Sequence, residues 1–320
     1  MDEQFAFAQN RPKKSCDRSN PKIASAVPTQ LCTPITGTYA IILGLRDTEE
    51  GSMKLRFYLI ACAALALTFQ TQMPAAESFD EKAPGQLKLP NKVLWAWKRP
   101  EDLSRIDPTK FGVAYLACHI FIEGENVKWQ SRNQPLKLPP HTVVVPTVRI
   151  DIVRREKPAL SQQQVEKVLR LIQKAASAPN AAQVQIDFDA LESERGFYRS
   201  LLEQLRKKLP ASMPISITAL ASWCLFDNWI KDLPIEESVP MMFSLGPERE
   251  KVLRYFRSQR DFMDKRSSRS LGLSLEDTAV NDLMIPITQK RKIPVRVYVF
   301  TRTAWTAKKL QAVNSMLSKL

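Results

Sequence analysis

Two carboxylates, Asp187 and Asp189, end the apolar segment Gln183-Val-Gln-Ile-Asp-Phe-Asp-Ala190. Side chains alternate along a strand, so the two aspartates would share one face while Phe188 points to the other. Two carboxylates can divide the roles of general acid and of nucleophile or base in glycoside cleavage. We predict Asp189, the last acid of the strand, as the general acid. Asp187, one layer deeper, would orient Asp189 and raise its pKa by like-charge repulsion.

Other side chains suited to sugar chemistry follow the remaining predicted strands. Glu276, at the end of the seventh, is the candidate nucleophile or base. Aromatic faces stack on sugar rings, and charged groups bind hydroxyls, so we predict substrate binding by Trp97, Arg149, Trp223, Asp227, Met242 and Arg302. The same strand ends also carry His119, Asp151, Asp277 and Phe300. Trp97 and Trp223 could equally be core residues, since large aromatics are usually well buried.

Metal and cofactor chemistry receives little support from the sequence. His119 and His141 are its only histidines, and neither has a second His or Cys at metal-ligand spacing, so we predict neither a zinc site nor a cofactor. Coordination of Mg²⁺ or Ca²⁺ by Asp187 and Asp189 is an alternative, because both ions prefer oxygen ligands. A further alternative is that the two aspartates are buried hydrogen-bonding residues in a site that binds without cleaving.

Eight short strand-like segments alternate with helical patterns and would position these residues. The strands are predicted at 93–97, 112–122, 142–151, 183–190, 214–223, 238–246, 270–275 and 294–300. This alternation implies a parallel sheet, and eight units favour a single (β/α)8 barrel whose strand ends converge on one mouth. A turn at 123–126 and a return strand at 127–130 predict a hairpin insertion after the second strand. No glycine-rich phosphate loop follows the first strand, which argues against a dinucleotide-binding fold.

Local signals refine this pattern. Ser161 and Gln164 have the spacing of a capping box, and apolar residues follow at helical intervals. We predict a bulge or an unpaired position at Pro146 in the third strand, because proline cannot donate to a sheet. A short helix is expected over 226–233. We place Cys118 and Cys224 across the barrel on the second and fifth strands, and therefore expect no disulfide between them, since a disulfide needs Cα atoms within about 7 Å.

The N-terminal part has the layout of a targeting sequence. A basic start, Met53-Lys-Leu-Arg56, precedes the apolar run 57–69 and the small residues of Met73-Pro-Ala-Ala76. This predicts a secretory signal peptide over 53–76, and an exported barrel domain over 77–320 that is periplasmic or secreted. We interpret residues 1–52 as a mis-assigned extension with Met53 as the true start, or as a disordered extension ahead of a membrane-associated segment.

The charge balance bears on the partner. The chain has 47 Lys and Arg residues against 33 Asp and Glu, a formal net charge of +14. Such a balance suits a polyanion such as nucleic acid, lipopolysaccharide, an acidic glycan of the envelope or an anionic membrane surface. The alternative is a solvated surface, because many of the charges lie on the polar faces of predicted helices. No motif indicates a specific nucleic-acid partner.

Several segments resemble an exported bacterial family known as domain of unknown function 3142. They are Gln185-Ile-Asp-Phe-Asp-Ala190, Ser193-Glu-Arg195, Ser216-Ile-Thr-Ala-Leu-Ala-Ser-Trp-Cys224 and Val239-Pro-Met-Met-Phe243. The resemblance covers about residues 93–306 and implies a barrel related in shape to glycoside hydrolases, without an established substrate. A weaker likeness is to chitinase-type glycosidases, whose fourth strand ends in Asp-x-Asp-x-Glu. Here Leu191 stands at the position of that glutamate, which argues against their substrate-assisted chemistry.

These observations together predict an exported, glycoside-hydrolase-like barrel protein. It would act on a poly- or oligosaccharide through paired carboxylates at the strand mouths. The alternative is a non-catalytic glycan-binding or envelope-assembly module on the same fold, because function belongs to the site and not to the barrel.

Overall fold

The computed structural model describes residues 88–258 and 260–318. The predicted signal peptide over 53–76 and the extension over 1–52 lie outside these residues. The described strands are β1 (Lys92–Ala96), β2 (Glu101–Asp102), β3 (Phe111–Glu123), β4 (Asn126–Ser131), β5 (Leu136–Lys137), β6 (Val144–Ile152), β7 (Val184–Asp187), β8 (Ile215–Leu220), β9 (Glu237–Met241), β10 (Ser270–Ser274) and β11 (Arg296–Phe300).

Strand pairing closes the sheet into a cylinder. Strands β6 to β11 pair in parallel in sequence order, and β1 pairs in parallel with both β11 and β3. Strand β3 completes the ring by pairing with β6, while β4 returns antiparallel along β3. The predicted (β/α)8 barrel with a hairpin insertion after the second strand is therefore confirmed. Strands β2 and β5 form a separate pair.

Helices cover the outside of the barrel. They are α1 (Gln162–Ala176), α2 (Arg195–Lys208), α3 (Ala221–Leu225), α4 (Arg249–Arg257), α5 (Lys265–Ser268), α6 (Thr278–Gln289) and α7 (Ala307–Leu317). The predicted capping box is confirmed at the start of α1, where the Ser161 and Gln164 side chains each accept a backbone N–H of the other residue. Within the described residues, no helix combines the length and apolar character needed to cross a bilayer.

Two apolar cores explain why the strands read as nearly continuous apolar runs. The outer core lies between the helices and the sheet and includes the apolar stripe of α1. The inner core fills the barrel around Trp95, whose ring lies 5.2 Å from that of Tyr298 and 5.9 Å from that of Phe243. Strands buried on both faces have no polar face to alternate with.

A bulge in β3 decides which of its residues face the barrel interior. Leu116 lies opposite Thr147 and Cys118 opposite Val148, so Ala117 is an extra residue. One inserted residue reverses the alternation of the strand beyond it. As a result His119 lies in register with Arg149 of β6 near the mouth.

The predicted interruption at Pro146 lies one residue away from this bulge. Pro146 stands opposite Tyr115 in the pairing of β3 with β6. On its other side, β6 pairs with the segment before β7 through a bridge between Val144 and Ala181, and the ladder with β7 resumes at Thr147. The missing N–H of the proline therefore falls in the gap between the two.

Two predictions around the fifth strand of the barrel are wrong. Strand β8 ends at Leu220, and Trp223 and Cys224 belong to the helix α3 instead. Residues 229–232 form turns, not the expected helix. Both departures bring aromatic residues into the outer core, where the Trp223 ring packs edge-on against Trp229 with 4.9 Å between the ring centroids. Cys118 and Cys224 are both buried free thiols.

The inner core gives a direct test of this packing. A Cβ added at Gly272 would lie 3.0 Å from the Trp95 ring and 3.2 Å from the carbonyl oxygen of Pro240. We expect Gly272→Ala to lower the free energy of unfolding by about 1–3 kcal/mol, because neither neighbour can move away easily. Urea denaturation of the purified chain measures this change.

Gly196→Ala is the matched control. A Cβ at Gly196 meets nothing within 4 Å, and the residue lies in α2. Alanine favours a helix over glycine by up to about 1 kcal/mol, so this variant should be as stable as the wild type or more so. Equal stability of the Gly272→Ala variant and the wild type would contradict the described packing around Trp95.

Candidate active site

The guanidinium of Arg149 lies at the mouth of the barrel between three carboxylates. Its Nη1 donates to Asp187 Oδ2 at 2.8 Å, its Nη2 to Asp189 Oδ2 at 3.3 Å and its Nε to Asp151 Oδ1 at 3.0 Å. Arg149 is in register with Asp187 of β7 and with His119 of β3. Burial alone would lower the pKa of Arg149, but the three carboxylates raise it above its ordinary value.

Asp187 is buried and fully engaged. Its Oδ1 accepts a hydrogen bond from Thr218 Oγ1 of β8 at 2.7 Å, and its Oδ2 contacts Arg149. Phe188 points to the opposite side, where its ring lies 5.1 Å from Tyr198 in the outer core. The predicted alternation of Asp187, Phe188 and Asp189 is therefore confirmed, although the strand is shorter than predicted and ends at Asp187. Asp187 is fixed in a way that suits positioning Arg149 rather than contacting a substrate.

Asp189 is the least satisfied of the three carboxylates. Arg149 is its hydrogen-bond donor among the described residues, and its side chain is 27% exposed. Burial and the neighbouring charge of Asp187 raise the pKa of Asp189 to about 6, although Arg149 acts in the opposite direction. A carboxyl group with this pKa holds its proton in mildly acidic solution and can donate it there.

Asp151, in contrast to Asp189, is held in its ionised state. Its Oδ2 lies 2.6 Å from Nε2 of His119, a ring that is only 5% exposed, and its Oδ1 contacts Arg149. Burial would raise the pKa of Asp151, but the hydrogen bond from His119 and the charge of Arg149 lower it to about 2. Asp151 is therefore ionised where Asp189 is protonated.

The distance between these two carboxylates is bounded by their shared partner. Asp151 Oδ1 and Asp189 Oδ2 lie 3.0 and 3.3 Å from the same Nη2 of Arg149, so the two oxygens are at most 6.3 Å apart. Pairs of titratable groups whose surroundings separate their pKa values are the usual arrangement of an acid and its partner base. The geometry supports such a pair at the barrel mouth.

Glu276 lies outside this cluster. It follows β10, where its Oε1 accepts from Thr301 Oγ1 at 2.5 Å and from the Arg302 N–H at 3.1 Å. Its Oε2 accepts from Ser274 Oγ at 2.8 Å. Burial would raise the pKa of Glu276, but these hydrogen bonds lower it below the ordinary value. The described residues show no hydrogen bond or ion pair between Glu276 and Arg149 or its partners.

The other predicted binding residues are dispersed. Trp223 and Met242 are buried in the outer core, which removes both from the mouth. Asp227 forms an ion pair with Arg195 of α2. Arg302 is exposed, and Trp97 is half-buried after β1.

Asp151 and His119 are predicted at strand ends from the sequence, but without a role. The segment Arg149-Ile-Asp151 alternates in the same way as Asp187-Phe-Asp189, which is a signal that the two pairs face each other. Thr218 gave no comparable signal, because a threonine within a β-branched strand is ordinary. Across residues 88–258 and 260–318, no group of three or more His, Cys, Asp or Glu side chains is arranged to hold a metal ion.

The chain matches no protein-family model and no curated protein. Among solved structures, it is similar to the spore cortex-lytic enzyme SleL of Bacillus cereus, with 14% identity, a TM-score of 0.33 and coverage of 59% of this chain and 51% of that one. It therefore spans about half the length of that enzyme.

Two chitinase structures show a comparable level of similarity. Active domain 2 of a thermostable chitinase from Pyrococcus furiosus, complexed with chito-oligosaccharides, gives 13% identity, a TM-score of 0.35 and coverage of 68% and 85%. The chitinase domain of the spore coat protein CotE from Clostridium difficile shows 13% identity and a TM-score of 0.31, and the match covers 71% of this chain and 68% of that one. The barrel assignment rests on the closed strand pairing of the chain itself.

Because the pKa of Asp189 is raised, the ionised side chain should destabilise the folded protein near pH 7. Because its folded pKa of about 6 exceeds the ordinary 3.8, the folded protein gains stability as the pH falls from about 7 to about 4, and loses it as the pH rises through 6. We expect Asp189→Asn to raise the free energy of unfolding near pH 7 by about 1–3 kcal/mol and to remove this gain. Urea denaturation at several pH values above 4 measures both effects.

Asp282→Asn serves as the control, because Asp282 is exposed on α6. Its effect should stay within about 0.5 kcal/mol at every pH, as for most surface substitutions. A wild-type protein whose stability does not change between pH 7 and pH 4 relative to Asp189→Asn would contradict the raised pKa.

Proposed function

We propose that the protein binds and hydrolyses a poly- or oligosaccharide at the barrel mouth. One observation carries the proposal. Asp189, with a pKa of about 6, and Asp151, with a pKa of about 2, contact the same guanidinium, and so form an acid beside an ionised carboxylate. Glycoside cleavage uses this combination of groups.

In the first step Asp189 donates its proton to the glycosidic oxygen as the bond from that oxygen to the anomeric carbon breaks. The carboxylate of Asp151 forms a bond to the same carbon. In the second step Asp189, now ionised, takes a proton from water, which displaces Asp151 and regenerates both groups. The separation of at most 6.3 Å fits this double displacement, which uses carboxyl groups about 5–5.5 Å apart, better than the wider spacing of inverting enzymes. We therefore expect retention of configuration.

Arg149 and Asp187 support these steps without reacting. The guanidinium of Arg149 keeps Asp151 ionised. It also partly neutralises the negative charge that Asp189 carries after it has donated its proton. Asp187, fixed by Thr218, holds Arg149 in place. Glu276 is the second candidate for the partner carboxylate, because its hydrogen bonds also lower its pKa. It ranks behind Asp151 because, among the described residues, it makes no hydrogen bond or ion pair with Arg149 or Asp189.

A non-catalytic glycan-binding or envelope-assembly module is the alternative, and one observation favours it. Arg149 contacts all three carboxylates, and such a network can serve structure alone. We also propose that the protein is exported through the predicted signal peptide. We further propose that it belongs to the uncharacterised family that its central motifs resemble.

Reducing-end release from a broad panel of bacterial and plant polysaccharides tests the proposal. We expect the wild-type chain to release reducing ends from at least one polymer, and Asp189→Asn to lower kcat/KM for it by at least about 100-fold, because general acid catalysis contributes this much. Activity should fall as the pH rises above about 6, where Asp189 loses its proton.

Asp282→Asn should keep wild-type activity. The variants Asp151→Asn and Glu276→Gln show which carboxylate acts beside Asp189. We expect Asp151→Asn to lower kcat more than Glu276→Gln does. Anomeric ¹H NMR of the first-formed product reads the configuration. Binding of a glycan without release, unchanged in Asp189→Asn, would reject hydrolysis and support the non-catalytic module.

A further inference from the structure

A pocket adjoins the carboxylate cluster on the side of the β3–β4 hairpin. It lies between the segment that follows β1 and the hairpin with its downstream loop, and His119 belongs to its wall. We call it the hairpin pocket, and it is lined by Lys98, Leu116, His119, Gln130, Ser131, Arg132, Asn133 and Gln134. Two of these side chains are cationic, four more offer amide or hydroxyl groups, and none is a carboxylate.

Lys98 is an ammonium group without an anionic partner. Among the described residues its Nζ makes no hydrogen bond or ion pair, and it lies 5.7 Å above the ring of Phe121. Burial and the charge of Arg149 lower the pKa of Lys98, while Asp151 acts in the opposite direction. Asp151 is itself engaged by Arg149 and His119. A half-buried cation of this kind is costly unless another group compensates it.

Two other polar atoms of the wall are buried and unpaired in the described part of the chain. Nδ1 of His119 has no partner, since the ring uses Nε2 for Asp151. Nε of Arg132 has none either, because the Nη atoms donate to the carbonyl oxygens of Trp97 and Arg99 at 2.5 and 2.8 Å. Buried polar atoms are usually hydrogen-bonded, so both wall residues have hydrogen-bonding capacity that no described residue satisfies.

The chemistry of the wall matches an acidic sugar. The ammonium of Lys98 is a donor for a carboxylate or sulfate. The amides of Gln130, Asn133 and Gln134 can donate to or accept from sugar hydroxyls.

We propose that the hairpin pocket binds the negatively charged group of an acidic sugar residue, so that the substrate is an acidic polysaccharide. The inference deepens the proposed function and rests on it. Because His119 contacts both the pocket and Asp151, the charged sugar would lie next to the residue at which cleavage occurs. The net charge of +14 favours approach of such a polymer.

Affinity electrophoresis of the full chain tests the pocket with pairs of polymers that share a backbone, one acidic and one neutral. The pairs are polygalacturonate and its methyl ester, carboxymethyl and hydroxyethyl cellulose, carboxymethyl and glycol chitin, and dextran sulfate and dextran. At physiological ionic strength, which screens exposed charges, we expect at least one acidic polymer to bind roughly tenfold or more tightly than its neutral partner. The dextran pair separates sulfate from carboxylate as the recognised group.

Substitutions at Lys98 localise the preference. Lys98→Gln should lower the preference for the acidic polymer roughly tenfold, as expected for loss of a charged hydrogen-bond donor. Lys98→Arg should largely retain the preference. Lys167→Gln removes the same charge from the exposed surface of α1 and should leave the preference intact.

The pocket assignment is overturned if no acidic polymer is preferred, or if Lys98→Gln and Lys167→Gln behave alike. These outcomes are distinct from failure of the proposed hydrolysis, because binding is measured without cleavage. Hydrolysis that depends on Asp189 but shows no charge preference would reject the pocket alone. A charge preference that depends on Lys98, without any hydrolysis, would keep the pocket and support the non-catalytic module.

Discussion

The site depends on one electrostatic constraint, which is that a single guanidinium must serve three carboxylates. Arg149 donates to Asp187, Asp151 and Asp189, but one positive charge cannot neutralise three negative ones in a partly buried place. Asp187 and Asp151 have additional donors in Thr218 and His119. The unbalanced charge therefore falls on Asp189, whose pKa rises until it holds a proton in mildly acidic solution. One carboxylate is thus left short of donors, and this is the basis on which we propose Asp189 as the acid.

The opposite end of the barrel shows what a balanced arrangement looks like. Glu237 is buried where β9 begins, and it accepts from Arg296 Nη1 at 2.5 Å, from the Tyr298 hydroxyl at 2.7 Å and from Gln183 Nε2 at 2.7 Å. Burial would raise the pKa of Glu237, but Arg296 and these hydrogen bonds lower it. One carboxylate with one arginine and several donors stabilises the fold and leaves no proton to exchange near neutral pH. The same residue types thus serve structure at one end and would serve chemistry at the other.

The sequence predicts the parts of this arrangement that follow from local periodicity. Alternation places Asp187 and Asp189 on one side of a strand, and the count of strands predicts the closed barrel. It does not predict Trp223, because a short apolar run fits a strand and a buried helix equally well. Nor does it predict the contact of His119 with Asp151, which requires the extra residue Ala117 to reverse the alternation of β3. Nothing in the residue types around position 117 indicates a bulge, and it becomes visible only from the pairing with β6.

The most direct test of the account is the titration of the aspartate side chains by NMR. Protein labelled with ¹³C at the aspartate carboxyl carbons would be titrated across the acidic range, and the signal absent from Asp189→Asn identifies that residue. We expect a titration midpoint of about 6 for Asp189, while Asp151, identified by the signal missing from Asp151→Asn, should stay ionised down to about pH 2. A midpoint for Asp189 at or below the ordinary 3.8 would show that Arg149 fully compensates its charge. Asp189 would then hold no proton to donate, and the assignment of the acid would be contradicted.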